Sequence, residues 1–72
     1  MERTPVKSSN IAELGYDPDN KILEVEFVNG SIYQYQPITQ DGYNTLLFNK
    51  SIGGYFYANI RNNNTLTVKQ IK

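Results

Sequence analysis

The stretch that decides the fold is residues 22–36, which read ILEVEFVNGSIYQYQ. The first half alternates apolar and acidic residues, which is typical of a β-strand with one buried face. The second half alternates through Tyr33 and Tyr35, and Asn29-Gly30 between the two halves is a strong signal for a tight hairpin turn. The stretch therefore predicts two antiparallel strands.

The length of the loop decides which side chains share a face, because a slip of one residue moves every side chain across the sheet. A two-residue turn at Asn29 and Gly30 would place both tyrosines beside the glutamates. We predict instead a three-residue bulged loop with Gly30 in the left-handed region. One face then carries Leu23, Val25, Phe27, Tyr33 and Tyr35. The opposite, wet face carries Glu24, Glu26, Gln34 and Gln36.

The remaining elements follow from turn and helix signals. Residues 11–17 place Ala12, Leu14 and Tyr16 at alternate positions, and the turn sequence DPDN begins at Asp17, which together predict a third strand. Thr39 is a suitable N-cap for a short helix, and Ile52, Phe56 and Ile60 form the apolar ridge of a second helix. We predict an α+β domain over residues 1–61, a three-stranded antiparallel meander with two short helices packed on one face. Residues 62–72 are either a tail or a fourth, edge strand.

The composition excludes several classes of function. The 72 residues include no Cys and no His, which removes disulfides, thiol nucleophiles, imidazole bases and the usual zinc and haem ligands. We therefore expect a protein that is not an enzyme and that holds no cofactor and no metal. No apolar stretch is long enough to span a membrane, so we also expect no membrane association and a cytoplasmic location.

The charges are unevenly distributed, although the net charge is zero. All seven acidic residues lie in residues 1–42, whereas residues 43–72 carry only basic charges: Lys50, Arg61, Lys69 and Lys72. This pattern has two explanations, a surface that meets a polyanion or two unrelated solvated surfaces. The pair Gly53-Gly54 also has two explanations. In the first, the exposed backbone N–H groups of the glycines bind a phosphate together with Lys50. In the second, the glycines allow the second helix to pack closely, and we favour this explanation.

The order of short motifs resembles the KTSC domain family. The matching pieces are Val6-Lys7-Ser8-Ser9-Asn10-Ile11, Gly15-Tyr16-Asp17, the strand around Val25, Tyr33-Gln34-Tyr35, and Ser51-Ile52-Gly53 followed by Tyr55-Phe56 and Ile60-Arg61. This family occurs as single bacterial and phage domains and at the C-terminus of some lysyl-tRNA synthetases. The resemblance implies a domain for which RNA binding has been suggested from that attachment. It implies no catalytic residues.

Two functions are compatible with these observations. Six tyrosines, the basic second half and the resemblance favour binding of RNA or another single-stranded nucleic acid. We predict Tyr33 and Tyr35 in the core, so the binding candidates are Lys7, Lys50, Tyr57 and Arg61. The alternative is a protein interaction or self-assembly module that uses residues 65–71 as an added strand.

Overall fold

The computed structural model describes residues 1–72. It contains one five-stranded antiparallel sheet in which the strands follow each other in chain order. The strands are β1 (Arg3–Pro5), β2 (Ile11–Asp17), β3 (Ile22–Phe27), β4 (Ile32–Gln36) and β5 (Thr67–Gln70). Between β4 and β5 lie α1 (Gln40–Leu47), α2 (Ile52–Phe56) and a π-helical turn (Tyr57–Arg61) that continues α2. No helix has the length and apolar character needed to cross a membrane.

The β3–β4 hairpin has the predicted bulged loop. Gly30 has a φ of 93°, and the Phe27 N–H donates to the Ser31 carbonyl at 2.9 Å. Leu23 is therefore opposite Tyr35, and Val25 is opposite Tyr33. The prediction that the apolar and aromatic residues share one face is confirmed, because this register and no other sorts them together.

Both helices form where the sequence predicts them. The Thr39 hydroxyl accepts a hydrogen bond from the Gly42 N–H at 3.0 Å, which caps α1. The second helix differs from the prediction in its last turn, where the Asn62 N–H bonds to the Tyr57 carbonyl five residues earlier. The ridge still reaches the core, because Phe56 and Ile60 are both buried.

The core lies between the helices and one face of the sheet. Phe56 is fully buried, and its ring meets the rings of Tyr35 and Phe27 edge to face at centroid distances of 5.4 Å and 5.7 Å. Tyr16 stacks on Tyr43 at 4.9 Å and donates a hydrogen bond to the Ile38 carbonyl. Three of the ten core residues are aromatic and seven are aliphatic. The large rings help a chain this short to bury sufficient apolar area.

The prediction of three strands is partly wrong, because β1 was missed. β1 has only three residues and includes Pro5, so it shows no alternation that a sequence pattern could reveal. Arg3 holds it in place, with its guanidinium nitrogens 3.2 to 3.4 Å from carboxylate oxygens of Glu13, Glu24 and Glu26. The supposedly wet face is therefore partly covered, with only 15% of the Glu24 side chain exposed.

The C-terminal segment, which the sequence left open, forms β5 beside β4. The Ile71 N–H donates to the Ile32 carbonyl at 2.8 Å, and Gln34 is opposite Lys69. All four residues of β5 are exposed, because neither helix extends over this edge of the sheet. The sheet therefore has a β5 edge that is paired on one side only.

We predict that Phe56→Ala lowers the free energy of unfolding by about 3 kcal/mol, because a fully buried Phe leaves a cavity in a small core. Denaturant unfolding measures this. Phe48→Ala is the matched control, since Phe48 is 80% exposed and its loss changes stability by no more than about 0.5 kcal/mol. Equal losses in the two variants would contradict the packing described above.

A second prediction concerns Gly15 of β2, which is paired with Arg3 of β1. A Cβ atom there would be 2.8 Å from Arg3 Cγ and 2.9 Å from the Glu2 carbonyl oxygen. The backbone atom cannot yield without moving β1, so Gly15→Ala costs about 1 to 3 kcal/mol. Hydrogen exchange should show loss of protection at the β1–β2 pairing while β3 and β4 stay protected. Retained protection at β1 would show that this close approach is unimportant.

Candidate functional site

The segment formed by α2 and the π-helical turn borders two surface hollows, and the loop of residues 7–10 contributes to both. The first, which we call the aromatic hollow, has a volume of about 260 Å³. Its walls include Phe27, Tyr33, Tyr57, Arg61, Asn10 and Asn29. Three aromatic rings and a guanidinium thus face one space at the end of the β3–β4 hairpin.

Arg61 is the charged group of the aromatic hollow. Its guanidinium carbon lies 5.7 Å from the centroid of the Tyr57 ring, a cation–π distance. The two residues lie four apart in the π-helical turn, which brings them onto the same side. All ion pairs of the structure involve Arg3, so no carboxylate neutralises Arg61. The arrangement is a cation over an aromatic ring with no carboxylate partner.

The two tyrosines of the β4 motif have different environments. Tyr35 lies under Phe56 and is only 1% exposed, whereas Tyr33 is half-buried and lines the aromatic hollow. The second helix covers the middle of β4 and leaves the hairpin end open, which explains the difference. Burial raises the pKa of the Tyr35 phenol, and the positive charge of Arg61 partly opposes this increase. Arg61 is therefore electrostatically linked to the core tyrosine.

The second hollow, which we call the basic hollow, has a volume of about 230 Å³ and is lined by Lys7, Ser8, Ser9, Lys50, Ser51 and the Gly53-Gly54 pair. The Ser8 hydroxyl accepts hydrogen bonds from the Asn10 and Ile11 N–H groups at 3.3 Å, which shapes the loop. A Cβ atom on Gly53 would lie 3.2 Å from that hydroxyl. The glycine thus permits close contact between the loop and α2, which supports the packing explanation for Gly53.

The structure brings the four candidate residues together in two pairs. Lys7 and Lys50 share the basic hollow, although 43 positions separate them in the chain, and Tyr57 and Arg61 share the aromatic hollow. No single hollow holds all four. The helical segment of residues 52–61 connects the pairs, since it supplies Gly53 to one hollow and Arg61 to the other.

Some residues of this surface were not predicted from the sequence. Asn10 and Asn29 line the aromatic hollow, and Asn residues in loops have no pattern that distinguishes them from turn residues. Phe48 is 80% exposed and lies two positions before Lys50. A signal for it existed, because position 48 falls opposite Tyr43, Leu46 and Leu47 on a helical projection.

Comparison with known proteins identifies the family. The family model of the KTSC domain matches residues 7–63. The chain belongs to the KTSC domain family. It is similar to an uncharacterised protein of Stutzerimonas stutzeri, at 41% identity over 78% of this chain and 79% of that one. It is also similar to a protein of Tsukamurella paurometabola, at 37% identity over 71% and 76% of the two chains.

A solved structure shares the fold. The crystal structure of a KTSC domain protein from Yersinia pestis superimposes with a TM-score of 0.89 and 33% identity, covering 99% of this chain and 97% of that one. The matched residues 7–63 of the KTSC domain include every residue that lines the two hollows and exclude β1 and β5. The two hollows are thus built entirely from the part of the chain that defines the family.

We predict that Arg61→Gln raises the pKa of Tyr35 further. The positive charge stabilises the phenolate, so its removal leaves burial unopposed. Titration of the labelled phenol carbon by NMR measures this shift. Lys69→Gln removes an equal charge from the opposite face of the sheet and leaves the pKa of Tyr35 unchanged. A Tyr35 titration that is identical in Arg61→Gln and the parent would place Arg61 away from the phenol.

Proposed function

We propose that this KTSC domain is a non-enzymatic module that binds single-stranded RNA in the cytoplasm. The observation that carries the proposal is the unpaired Arg61 guanidinium over the Tyr57 ring, at the mouth of a hollow walled by Phe27 and Tyr33. Stacking of unpaired bases on aromatic rings and arginine is the usual way in which proteins hold single strands. Duplex bases are already stacked, so this site favours single strands.

The basic hollow supplies the second requirement, which is contact with phosphate. Lys7 and Lys50 are exposed and face one hollow that contains no acidic side chain. It adjoins the aromatic hollow through the loop of residues 7–10, so a strand crossing that loop would meet both. Phe48, two positions before Lys50 in the chain, is a further exposed ring. Phosphate contacts of this kind supply affinity that does not depend on sequence, and ring contacts add stacking energy for unpaired bases.

The distribution of acids supports the same face. Glu13, Glu24 and Glu26 lie on the opposite face of the sheet around Arg3, so three carboxylates surround a single cation there. A polyanion is repelled from that face and meets unpaired cations on the helical face. Zero net charge limits the affinity, and we expect a weak, local contact with few phosphates.

Assembly through the C-terminal strand is the second candidate. The open edge of β5 and the exposed side chains of Val68 and Ile71 favour it, at 50% and 48% exposure. Against it, β5 is short and carries Lys69 near its centre. Pairing of two β5 strands around that residue would place like charges opposite each other, which is a common protection of sheet edges. We therefore rank it below RNA binding.

We predict that Lys50→Ala with Arg61→Ala abolishes binding of a short single-stranded RNA measured by fluorescence anisotropy at low salt. In the parent, the plot of log K against log salt should have a slope of about −2, from roughly three phosphate contacts at 0.7 counterions each. The double variant loses a phosphate contact at Lys50 and the guanidinium over the Tyr57 ring that holds the base, so both kinds of contact are broken.

The matched control is Lys69→Ala with Lys72→Ala, which removes the same charge from the C-terminal edge and keeps the parent affinity. If the two double variants weaken binding equally, the interaction is nonspecific attraction to net charge and the proposed face is wrong. If the parent does not bind and instead self-associates in sedimentation, the assembly function replaces the RNA-binding one.

A further inference from the structure

The amide of Asn29 in the aromatic hollow has a fixed orientation. Its Oδ1 atom accepts hydrogen bonds from the Ser31 N–H at 3.0 Å and from the Ser31 hydroxyl at 2.7 Å. Both bonds use the carbonyl side of the amide, so the NH₂ group is the part left for a ligand. Asn29 therefore presents donors, and its acceptor is already occupied.

Arg61 adds donors to the same hollow. A guanidinium has five N–H groups and no acceptor, and no carboxylate in the structure pairs with this one. Acidic side chains are absent from the walls of the hollow. The Asn10 amide and the Tyr33 and Tyr57 hydroxyls also line the hollow, and these groups can either donate or accept. The groups that can only donate to a ligand are Arg61 and the Asn29 amide, and they favour a ligand edge with adjacent acceptors.

We infer that the aromatic hollow binds a single base and prefers guanine. The inference rests on the proposed function and adds base identity to it. Guanine presents two neighbouring acceptors, O6 and N7, which match an arginine, whereas in adenine a donor NH₂ lies beside N7. Cytosine also has neighbouring acceptors, N3 and O2, on its Watson–Crick edge, but its single ring offers less stacking surface to the three aromatic rings than a purine does. The guanine ring would lie among Tyr33, Tyr57 and Phe27, and its acceptor edge would meet Arg61 and the Asn29 NH₂ group.

The size of the hollow agrees with one base. Sites for drug-sized molecules usually measure about 300 to 1,000 Å³. The aromatic hollow, at about 260 Å³, lies just below that range, which suits one planar ring system with its sugar outside. Longer strands would gain only phosphate contacts at the basic hollow, so base identity should matter at one position of the strand.

The test uses the full chain and four heptamer RNAs that are identical adenosine strands except at the central position, which is G, U, A or C. Fluorescence anisotropy at low salt gives the four affinities. We expect the strand with central G to bind about tenfold more tightly than the all-adenosine strand, in line with one good arginine–guanine contact. The strand with central U should be intermediate, because uracil has a single acceptor, O4, on that edge.

Asn29→Asp tests the amide directly, since it keeps an oxygen for Ser31 and replaces the donor NH₂ by an acceptor. The new carboxylate repels the guanine acceptors and also competes with them for Arg61, so the ratio of G to A affinity should fall to about one. Asn63→Asp is the matched control. Asn63 makes the same kind of turn, with its Oδ1 accepting from the Thr65 N–H at 3.1 Å, but lies outside the aromatic hollow. It introduces the same charge and should keep the G to A ratio of the parent.

The outcomes separate this inference from the proposed function. Measurable binding with equal affinity for all four strands overturns the base preference and leaves RNA binding standing. Absence of binding to every strand overturns both. A G preference that survives in Asn29→Asp but disappears in Asn63→Asp would assign the base contact to a different surface and overturn the inference.

Discussion

The left-handed conformation of Gly30, with a φ of 93°, fixes the register of the β3–β4 hairpin, and the remaining packing depends on that register. It puts Leu23, Val25 and Tyr35 on one face, where each has almost no exposed surface. With a loop shorter by one residue, Glu24 and Glu26 would lie beside the tyrosines, and no helix could pack on a face that mixes carboxylates with aromatic rings.

Phe56 connects that face to the helices. It contacts Tyr35 and Phe27 from above and is continuous with the π-helical turn that carries Tyr57 and Arg61. The second helix therefore has two roles. Its buried side closes the core over the centre of the sheet, and its last, wider turn ends beside the hairpin, where it leaves Tyr33 uncovered. The aromatic hollow is the space between these two ends.

The two faces of the sheet differ in charge, although Lys69 lies on the glutamate face and Asp41 lies on α1. Arg3 forms ion pairs with three glutamates on the face away from the helices. On the helical side, Lys7, Lys50 and Arg61 have no acidic partner. Three carboxylates surround one cation on one face, and three cations lack an acidic partner on the other. The two faces therefore differ in electrostatic potential although the net charge is zero. This arrangement makes the helical side the face on which an anionic strand would be held.

The sequence alone determined the parts of this protein that depend on local signals. Alternation in residues 22–36 and the Asn29-Gly30 turn predicted β3, β4 and the face of Tyr35. The Thr39 cap and the ridge through Phe56 predicted both helices. These signals are local, because the periods of strands and helices appear as spacings between nearby residues. The same signals left the C-terminal segment undecided and missed β1, whose three residues are too few to show a period. Lys7 and Lys50 were candidates from charge alone, whereas their shared hollow, the Arg3 cluster and the orientation of the Asn29 amide came only from the tertiary structure. Contacts between residues distant in the chain depend on how sheet and helices pack, and a single sequence contains no local signal for them.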